Sequence, residues 1–425
     1  MDIRGIDLST FSCGIAHAPV EIDVEIGPGL LRKTAEILAH FPKRILVVAD
    51  THSLAASAGL LENLQDGGFD CGLQCYEECT EANILLVEEV EKLAEPYDGV
   101  LAVGSGSIHD ICRLASFRAK RAFALFATAA SMDGFASNSA PIIFGHFKES
   151  VLCHVPSVII GDTEILAKAP EALKAAGFSD ILAKYVALVD WQIAALVSEE
   201  IYCPEVARLV KDALERSVAL ADRVAGEDPA VAGAMMEALV LSGVSMAFTQ
   251  NTRPASGAEH MLSHYWEIKK LERQEAVAFH GQKVGVGTLM IAKLYHLIAD
   301  QAYGVPVFQE DATDWEGVYQ VYGAGFRAEI ERLNHPSVIE ETSPEILQRN
   351  WPEICRLIHE ELPSYEVLLG HMQAAHAITS IEGIGVDEQL ALDGLRYHPY
   401  MRHRIILTRL IPMLGIQPDY EALLA

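Results

Sequence analysis

The pattern of hydrophobic and polar positions divides this chain into two parts of different character. In the first part, short apolar runs alternate with stretches of helical periodicity, as in a parallel α/β sheet. The predicted strands are 20–26, 44–49, 72–76, 100–103, 122–127 and 151–160, and the predicted helices are 31–40, 54–64, 83–93 and 108–118. We therefore predict a Rossmann-like α/β domain at the start of the chain.

Long helical patterns dominate the rest of the chain. They cover 180–197, 206–224, 230–249, 259–273 and 281–299, and more follow after proline-punctuated connections. A chain of 425 residues exceeds the size at which a single core keeps growing. We predict two domains, an α/β domain at 1–163 and an all-α domain at 164–425.

Two neighbouring strand ends carry small and polar residues. The run 100–103 ends at Gly104-Ser105-Gly106, and the run 122–127 ends at Thr128-Ala129-Ala130-Ser131, with Asp133 and Ser137 beyond. A glycine turn before a helix lets backbone approach a phosphate, and ligands bind at the carboxyl ends of parallel strands. The alternative is an ordinary turn in which glycine only provides a positive φ. Three residues alone leave both open.

Asp50 follows the predicted strand 44–49. A carboxylate in this place can accept a hydrogen bond from the ribose of a dinucleotide, or it can cap the next helix. It precedes the glycine turn, which is the reverse of the usual Rossmann order. The pattern alone leaves both roles open.

The helical part contains four residues with metal-ligand chemistry. His260 and His264 are four residues apart and share one helix face, and His280 opens a glycine-rich helical segment. Asp180 is predicted at the start of a helix, where the helix dipole favours a carboxylate. Each has an ordinary structural explanation when taken singly. The histidine pair is not a metalloprotease motif, because Met261 stands where that motif has Glu.

GSGSIHD followed by TAASMDGFAS resembles the sn-glycerol-1-phosphate dehydrogenases, which belong with the iron-type alcohol dehydrogenases, glycerol dehydrogenases and dehydroquinate synthases. The likeness continues at GFSDILAKY (177–185), SGAEHMLSHYWE (256–267) and FHGQKVGVGT (279–288), and so covers roughly residues 20–300. His109, Phe126 and Ser179 depart from the usual Asn, Pro and Gly. The resemblance implies the dehydroquinate synthase-like two-domain architecture.

The resemblance also implies roles for individual residues. Asp180, His260 and His280 match the metal ligands, for which Zn²⁺, Ni²⁺ and Fe²⁺ are all suitable. The same three and His264 are the expected catalytic residues, and Asp133, Asp180 and His264 are expected to contact substrate. The expected contacts to NAD(H), or to NADP(H), are Asp50, Gly104, Ser105, Gly106, Ser107, Ile108, Thr128, Ala129, Ala130, Ser131 and Ser137. Asp50 is expected to favour NADH, because its charge would repel a 2′-phosphate.

The activity implied by the resemblance is a reversible, metal-dependent NAD(P)H-linked reduction of dihydroxyacetone phosphate to sn-glycerol 1-phosphate. Three alternatives remain open at this point. They are a dehydrogenase acting on glycerol or another polyol, a lyase like dehydroquinate synthase, and a non-catalytic nucleotide-binding protein.

Composition limits the partners of the chain. A net charge of −27 argues against nucleic acid and anionic membrane surfaces as partners. An anionic substrate therefore needs a local positive site.

MDIRGIDLST shows no secretory signal, and no stretch of about 18 uninterrupted apolar residues predicts a membrane span. The eight cysteines are irregularly spaced, which favours free thiols in the cytoplasm over a metal cluster. We expect a homo-oligomer, a dimer or larger.

Several basic and aromatic residues are assigned ordinary roles. A substrate phosphate could be held by Lys148, Lys184 or Lys283, but a lysine is usually a solvated charge, and that is the prediction for each. The residues that bind the phosphate are therefore not identified. The group His398, Arg402, His403 and Arg404 is predicted to be an exposed helix face or an interface. Trp191 and Trp266 are predicted to lie in the core.

Overall fold

The computed structural model describes residues 6–145 and 147–424, apart from the side chain of Phe147. The strands in these residues are β1 (Asp23–Gly27), β2 (Arg44–Asp50), β3 (Asp70–Tyr76), β4 (Gly99–Gly104), β5 (Ala122–Ala127), β6 (Ser139–Phe144), β7 (Phe147–Leu152) and β8 (Val158–Asp162). A six-stranded parallel sheet has the order β1-β8-β5-β4-β2-β3. The prediction of an α/β sheet is confirmed.

Both faces of this sheet are covered, which explains the continuous apolar runs. In β2, Leu46 and Val48 belong to one core while Ile45, Val47 and Ala49 belong to the other. Alternate side chains point to opposite faces, so a strand buried on both sides shows no alternation of polar and apolar residues.

The predicted strand 151–160 is wrong, because two strands occupy this region. β7 ends at Leu152 and pairs antiparallel with β6, and β8 starts at Val158 in the parallel sheet. Pro156 lies in the connection, where its missing N–H costs no ladder hydrogen bond. The β6–β7 hairpin had not been predicted.

The helices lie mainly after the sheet. The α-helices are α1 (Thr34–Ile37), α2 (Thr51–Ala56), α3 (Leu60–Asp66), α4 (Ile84–Leu93), α5 (Gly106–Ala119), α6 (Thr163–Ala167), α7 (Glu171–Leu182), α8 (Lys184–Val197), α9 (Pro204–Val218), α10 (Pro229–Thr249), α11 (Ala258–Glu272), α12 (His280–Ala299), α13 (Trp315–Tyr322), α14 (Arg327–Asn334), α15 (Pro344–Glu361), α16 (Tyr365–Ala374), α17 (Glu388–Tyr397), α18 (Leu407–Leu414) and α19 (Tyr420–Leu424). Short 3₁₀ helices lie at Leu8–Thr10, Leu30–Lys33, Gly134–Ala136, Ala221–Arg223, Val338–Glu341, Glu382–Ile384 and His398–Tyr400.

The predicted helices at 230–249, 259–273 and 281–299 agree with α10, α11 and α12 to within one residue at each end. Three other predictions are wrong in their bounds. The region 54–64 contains two helices, because Gly59 adopts a positive φ of 93° before α3, and the helix predicted to 224 ends at Val218. The helix predicted at 180–197 is also two helices. Asp180 therefore lies in the last turn of α7 and not in a first turn.

The chain described beyond Asp162 is helical, and we propose a domain boundary at 163/164 on that basis. The helix α10 is long and apolar enough to cross a membrane by length and composition. However, 89% of its most apolar window is buried inside the protein. Trp191 and Trp266 are fully buried in this helical part, as predicted.

Glycines let α7 pack closely on its neighbours. A Cβ at Gly281 of α12 would lie 1.9 Å from the Ala176 carbonyl oxygen, and a Cβ at Gly177 would lie 2.0 Å from that of Ala130. Only glycine permits such approaches without moving backbone. Asp180 on α7 is thereby brought close to both α12 and the loop after β5.

Candidate active site

Asp180, His260 and His280, which we call the metal triad, meet where α7, α11 and the start of α12 converge. Their ligand atoms all lie within 4.8 Å of one another. His260 Nε2 is 3.5 Å from Asp180 Oδ1, and the rings of His260 and His280 are 5.3 Å apart between centroids. One carboxylate and two imidazoles form a donor set suited to a divalent metal with open positions.

Glu259 orients the ring of His260. Its Oε1 lies 2.6 Å from His260 Nδ1 and accepts the backbone N–H of Gly257 at 2.9 Å. A carboxylate accepts, so Nδ1 carries the proton and the Nε2 lone pair is on the side of Asp180. Such a carboxylate–imidazole pair is typical behind a metal-binding histidine. Although burial opposes it, the carboxylates of Asp180 and Glu259 raise the pKa of His260, so the site attracts a cation.

Asp190 fixes the start of α11, the helix that carries His260. Its Oδ2 accepts the otherwise unpaired N–H of Ala258 at 2.8 Å. Its Oδ1 accepts from the Tyr295 hydroxyl at 2.7 Å and from Leu407 N at 3.1 Å. Burial is the largest effect on this carboxyl and raises its pKa to about 6.

Lys184 joins the metal triad to the loop after β5. Its Nζ lies 2.7 Å from Asp133 Oδ2 and 3.0 Å from Asp180 Oδ1, and the residue is fully buried. The backbone N–H of Asp133 donates to Asp180 Oδ2 at 2.9 Å, and Ser242 Oγ donates to Asp133 Oδ2 at 3.0 Å. The prediction that Lys184 is a solvated charge was wrong.

This network separates the two carboxyls electrostatically. Burial opposes ionisation of both, but Lys184 and the neighbouring imidazoles hold the pKa of Asp180 well below its usual range. The pKa of Asp133 is raised, by burial and by the Asp180 charge. Asp180 therefore stays ionised, which suits it to be a metal ligand. Asp133 contributes a backbone N–H and a carboxyl held by Lys184.

His264 lies one turn after His260 and faces the same space. Its ring centroid is 6.2 Å from that of His260 and 5.9 Å from that of His280. Arg402 Nη2 lies 3.3 Å from His264 Nδ1. An arginine N–H can only donate, so Nδ1 accepts and Nε2 carries the proton. Burial, and then the charge of Arg402, lowers the pKa of His264 well below its usual value, which keeps the ring neutral.

Three cations, which we call the basic cluster, lie beside His264. They are Lys148 from β7, Lys283 from α12 and Arg402. Glu267 of α11 pairs with Lys148 at 2.8 Å and with Lys283 at 3.1 Å. Two lysines on one carboxylate, with Arg402 beside His264, leave a local positive excess in a protein of net charge −27. Burial lowers the pKa of Lys283 to about 8.

Sequence reasoning missed the basic cluster. Lys148 and Lys283 were predicted to be solvated, but their side chains are only 19% and 2% exposed. A weak signal existed, since Lys283 is three residues from His280 and Glu267 is three from His264, a spacing that shares a helix face. Lys148 gave no such signal, because it arrives on the hairpin that was not predicted.

The C-terminal group was also predicted wrongly in part. His398 is fully buried, and Arg402 contacts His264. Arg404 donates to Ser256 O at 2.6 Å just before α11. His403 is exposed, as expected.

The predicted cofactor residues lie mostly along the carboxyl edge of the sheet. Gly104 ends β4, and Thr128 N donates to its carbonyl at 3.0 Å, so the loops after β4 and β5 are adjacent. Ser105 stands at the N-cap position of α5 without capping it, because its hydroxyl forms a hydrogen bond with that of Ser131 instead. The loop from Gly104 to Ile108 and the segment Thr128 to Ser131 therefore form one edge. Neither Gly104 nor Gly106 has a positive φ. The alternative in which glycine only provides a positive φ for a turn therefore does not apply to them.

Asp50 ends β2, the strand next to β4, and it caps a helix. Its Oδ1 accepts Ser53 N at 2.7 Å, and Ser53 Oγ accepts Asp50 N at 3.0 Å, a complete capping box at the start of α2. The capping role left open by the sequence is thus realised. The carboxylate still borders the edge that holds Gly104.

Ser137 is the predicted cofactor residue most engaged in the protein interior. It is 4% exposed, and its hydroxyl accepts from Arg113 Nη1 at 2.8 Å. Arg113 is fully buried and also donates to the carbonyl oxygens of Ser137 and Ser139 at 3.0 and 2.5 Å, which fixes the loop after Asp133. Sequence reasoning had not singled out Arg113.

The three departures from the family pattern point into the interior. His109 packs between Phe123 and Phe135 beside Arg113, with ring centroids at 5.4 and 5.5 Å. Phe126 is fully buried in the sheet core, and Ser179 donates to Ala175 O inside α7 at 2.9 Å. They shape the packing behind the site.

Comparison with known proteins agrees with this geometry. Residues 25–170 match the family described as iron-containing alcohol dehydrogenase. A protein of Geobacillus stearothermophilus named glycerol-1-phosphate dehydrogenase is 32% identical over 408 residues, 93% of each chain. One of the same name from Halalkalibacterium halodurans is 36% identical over 296 residues, 68% of this chain and 74% of the other.

Solved structures share the fold. The glycerol dehydrogenase of Schizosaccharomyces pombe superposes with a TM-score of 0.61 at 15% identity, covering 96% of this chain and 92% of that one. An iron-containing alcohol dehydrogenase of Thermococcus thioreducens gives 0.61 at 14% identity, covering 95% and 96%. Identity this low shows the architecture alone, whereas the relative from Geobacillus stearothermophilus is 32% identical over nearly the whole length of both chains. The chain is therefore a member of the glycerol-1-phosphate dehydrogenase family, built on the fold of the iron-containing alcohol dehydrogenases.

Proposed function

We propose that this protein is a metal-dependent NAD(P)H dehydrogenase that interconverts dihydroxyacetone phosphate and sn-glycerol 1-phosphate. The observation that carries the proposal is the position of the metal triad beside the basic cluster in a member of this family. A carbonyl substrate that bears a phosphate needs both an electrophilic site and a local positive charge.

The donor set fits a divalent metal. Its ligand atoms lie within 4.8 Å of one another. Glu259 accepts the Nδ1 proton of His260, which leaves the Nε2 lone pair on the side of Asp180. Zn²⁺, Ni²⁺ and Fe²⁺ all suit two imidazoles and a carboxylate. When bound, the metal would polarise the substrate carbonyl and the reduced nicotinamide would supply the hydride.

The protein's own residues orient the substrate and manage the proton. Lys184 keeps Asp180 ionised and fixes Asp133. His264 is neutral with its proton on Nε2, which suits it to donate a hydrogen bond to a substrate oxygen. The proton for the product hydroxyl would come from solvent through a water held near this N–H, because a neutral imidazole is too weak an acid to give up its only ring proton.

The phosphate would be bound by the basic cluster. Lys283 and Lys148 share Glu267, so each retains donor N–H groups for a further anion. Arg402 provides a planar group suited to phosphate oxygens. This local excess of positive charge favours a phosphorylated substrate over glycerol.

The dinucleotide would lie along the carboxyl edge of the sheet. The start of α5 at Gly106 offers unpaired N–H groups to the phosphates. Asp50, one strand away, would accept from the ribose. Free cysteines fit our further proposal that the enzyme acts in the cytoplasm. We also propose that it is a homo-oligomer.

The decisive test follows NADH oxidation with dihydroxyacetone phosphate and determines the configuration of the product. We expect sn-glycerol 1-phosphate as the product and faster turnover of the phosphorylated ketone than of dihydroxyacetone. The variant His280→Ala should lose the metal ion of the metal triad and its turnover. Glycerol oxidation without turnover of dihydroxyacetone phosphate would instead support a polyol dehydrogenase. Nucleotide binding without any turnover of the metal-loaded protein would support the non-catalytic alternative.

A matched pair of variants tests the phosphate site. Lys283→Met should raise the KM for dihydroxyacetone phosphate about 10-fold or more, because it removes a buried charge at the anion. It should leave the KM for dihydroxyacetone nearly unchanged. Lys168→Met, at an exposed lysine, is the control and should change neither. Equal effects of Lys283→Met on both substrates would place the phosphate elsewhere.

A further inference from the structure

A second group of side chains with metal-binding chemistry lies where the segment before β1 meets α9 and α10. Cys13, His17 and Cys203, which we call the thiol–imidazole cluster, have ligand atoms within 4.8 Å of one another. The Cys13 and Cys203 sulfurs lie 3.1 and 3.5 Å from His17 Nε2. None of these residues belongs to the metal triad, and no role has been assigned to them above.

The ring of His17 is oriented as a ligand. Its Nδ1 lies 3.3 Å from the carbonyl oxygen of Phe248, in the last turn of α10. A carbonyl can only accept, so Nδ1 carries the proton and the Nε2 lone pair faces the two sulfurs. A backbone carbonyl behind the imidazole is the arrangement that fixes the tautomer of metal-binding histidines.

Cys203 brings its sulfur to the cluster from the start of a helix. It is buried and stands at the N-cap of α9, a helix of 15 residues that begins with Pro204. Cys13 lies 190 residues earlier in the chain, so no CxxC spacing marked the pair in the sequence.

Glu205 supplies a fourth donor. Its Oε2 lies 3.4 Å from the Cys203 sulfur. Its Oε1 accepts the backbone N–H and the hydroxyl of Ser12 at 3.1 and 3.0 Å, which holds the carboxylate in place. The two sulfurs and the imidazole nitrogen thus lie close enough to share one ion, and the Glu205 carboxylate lies against the sulfur of Cys203.

We propose that Cys13, His17 and Cys203 bind a structural Zn²⁺, with Glu205 as the fourth ligand. Soft thiolates select zinc over magnesium or calcium, and four protein ligands leave no open position for a substrate. Binding releases both thiol protons to solvent. The ion ties residues 12–17 to the start of α9 beside the end of α10, across the proposed domain boundary.

The test measures the zinc content of the full-length protein produced with added zinc. The wild type should hold about two ions per chain, and Cys13→Ser and His17→Gln about one. His280→Ala should also hold about one, retained at the thiol–imidazole cluster. Cys75→Ser, at an exposed cysteine, is the matched control and should keep both ions.

Cobalt substitution separates the two sites spectroscopically. Thiolate-to-cobalt charge-transfer bands should appear in the wild type and in His280→Ala, because only the thiol–imidazole cluster contains sulfur. They should be absent from Cys13→Ser, which should melt at a lower temperature yet turn over substrate normally when cold. If Cys13→Ser does not fold, the spectrum of His280→Ala decides.

Two results would overturn the proposal. One is the same zinc content and cobalt spectrum in the wild type and in both cluster variants. The other is a Cys13–Cys203 disulfide found by mass spectrometry without reductant in protein that binds no second ion. Because these readouts do not depend on turnover, they stand whether or not the proposed dehydrogenase activity is found.

Discussion

At the scale of single residues, the chemistry of the site is set by buried partners that each side chain meets. Asp180 would be protonated more easily in a buried place if Lys184 were absent, and His260 would be free to rotate without Glu259. His264 stays neutral because burial and Arg402 both oppose its protonation. Variants that keep the fold but change one partner are therefore informative.

The variant His264→Ala should keep its metal and still bind NADH. It should lose catalytic efficiency by roughly 10²-fold or more if this ring donates to the substrate oxygen. Metal analysis, NADH titration and steady-state rates check this. A fall in metal content would mean that His264 is a ligand, and a loss of thermal stability with normal turnover would make it a structural residue.

The variant Asp50→Ser should narrow the preference for NADH over NADPH, because it removes the negative charge near the expected site of the 2′-phosphate. Serine keeps a capping oxygen for α2, so stability should hardly change. Asp50→Ala is the control for capping and should lose about 1 kcal/mol of unfolding free energy as well. Equal efficiency with both cofactors in the wild type would contradict this role.

At the scale of elements, the metal triad depends on how closely three helices approach. α7 carries Asp180, α11 carries His260, and α12 begins with His280. Asp190 and Tyr295 hold the start of α11, while Gly177 and Gly281 allow the backbone of α7 to touch its neighbours. Helix spacing of this kind is a property of pairs of elements.

The variant Gly281→Ala should destabilise the protein by about 2 kcal/mol or more and reduce its metal content. The added Cβ would meet the Ala176 carbonyl oxygen at 1.9 Å, so α12 must move and carry the adjacent His280 with it. Thermal unfolding and metal analysis measure both effects. Gly370→Ala in α16, where a Cβ meets nothing within 4 Å, should be neutral or stabilising. Unchanged metal binding in Gly281→Ala would refute the link.

At the scale of the whole molecule, the acidic charge and the buried histidines make stability depend on pH. His398 is fully buried, with Nδ1 donating to Gly394 O at 2.8 Å and Nε2 accepting from Thr408 at 2.9 Å. Burial lowers its pKa from 6.5 to about 4. Below about pH 6.5 the unfolded chain therefore binds a proton at this histidine while the folded protein does not. The free energy of unfolding falls as the pH drops below that value.

The variant His398→Gln should remove part of this dependence. Between pH 7 and 5.5 the wild type should lose about 1 kcal/mol more unfolding free energy than the variant does. Urea unfolding at the two pH values measures the difference, and both lie above the isoelectric point of about 4.9. His109 and His154, whose pKa values are also lowered to about 4 by burial, contribute equally to both proteins. Parallel pH profiles would contradict the prediction.

The sequence by itself determined the elements whose signal is local. The continuous apolar run 44–49 predicted a strand buried on both faces, and the apolar run 230–249 predicted a long core helix. Four motifs in order indicated the family and the residues Asp180, His260 and His280. These inferences hold because periodicity, turn residues and motif spacing are written into consecutive positions.

Only the tertiary structure decided which distant residues meet. Lys184 appeared to be one lysine among many until α7 and the loop after β5 placed two carboxylates beside it. Lys148 and Arg402 arrive at the site from a hairpin and from the C-terminal region, and Cys13 meets Cys203 across the molecule. Burial and charge pairing depend on packing between elements, and no local pattern encodes that packing.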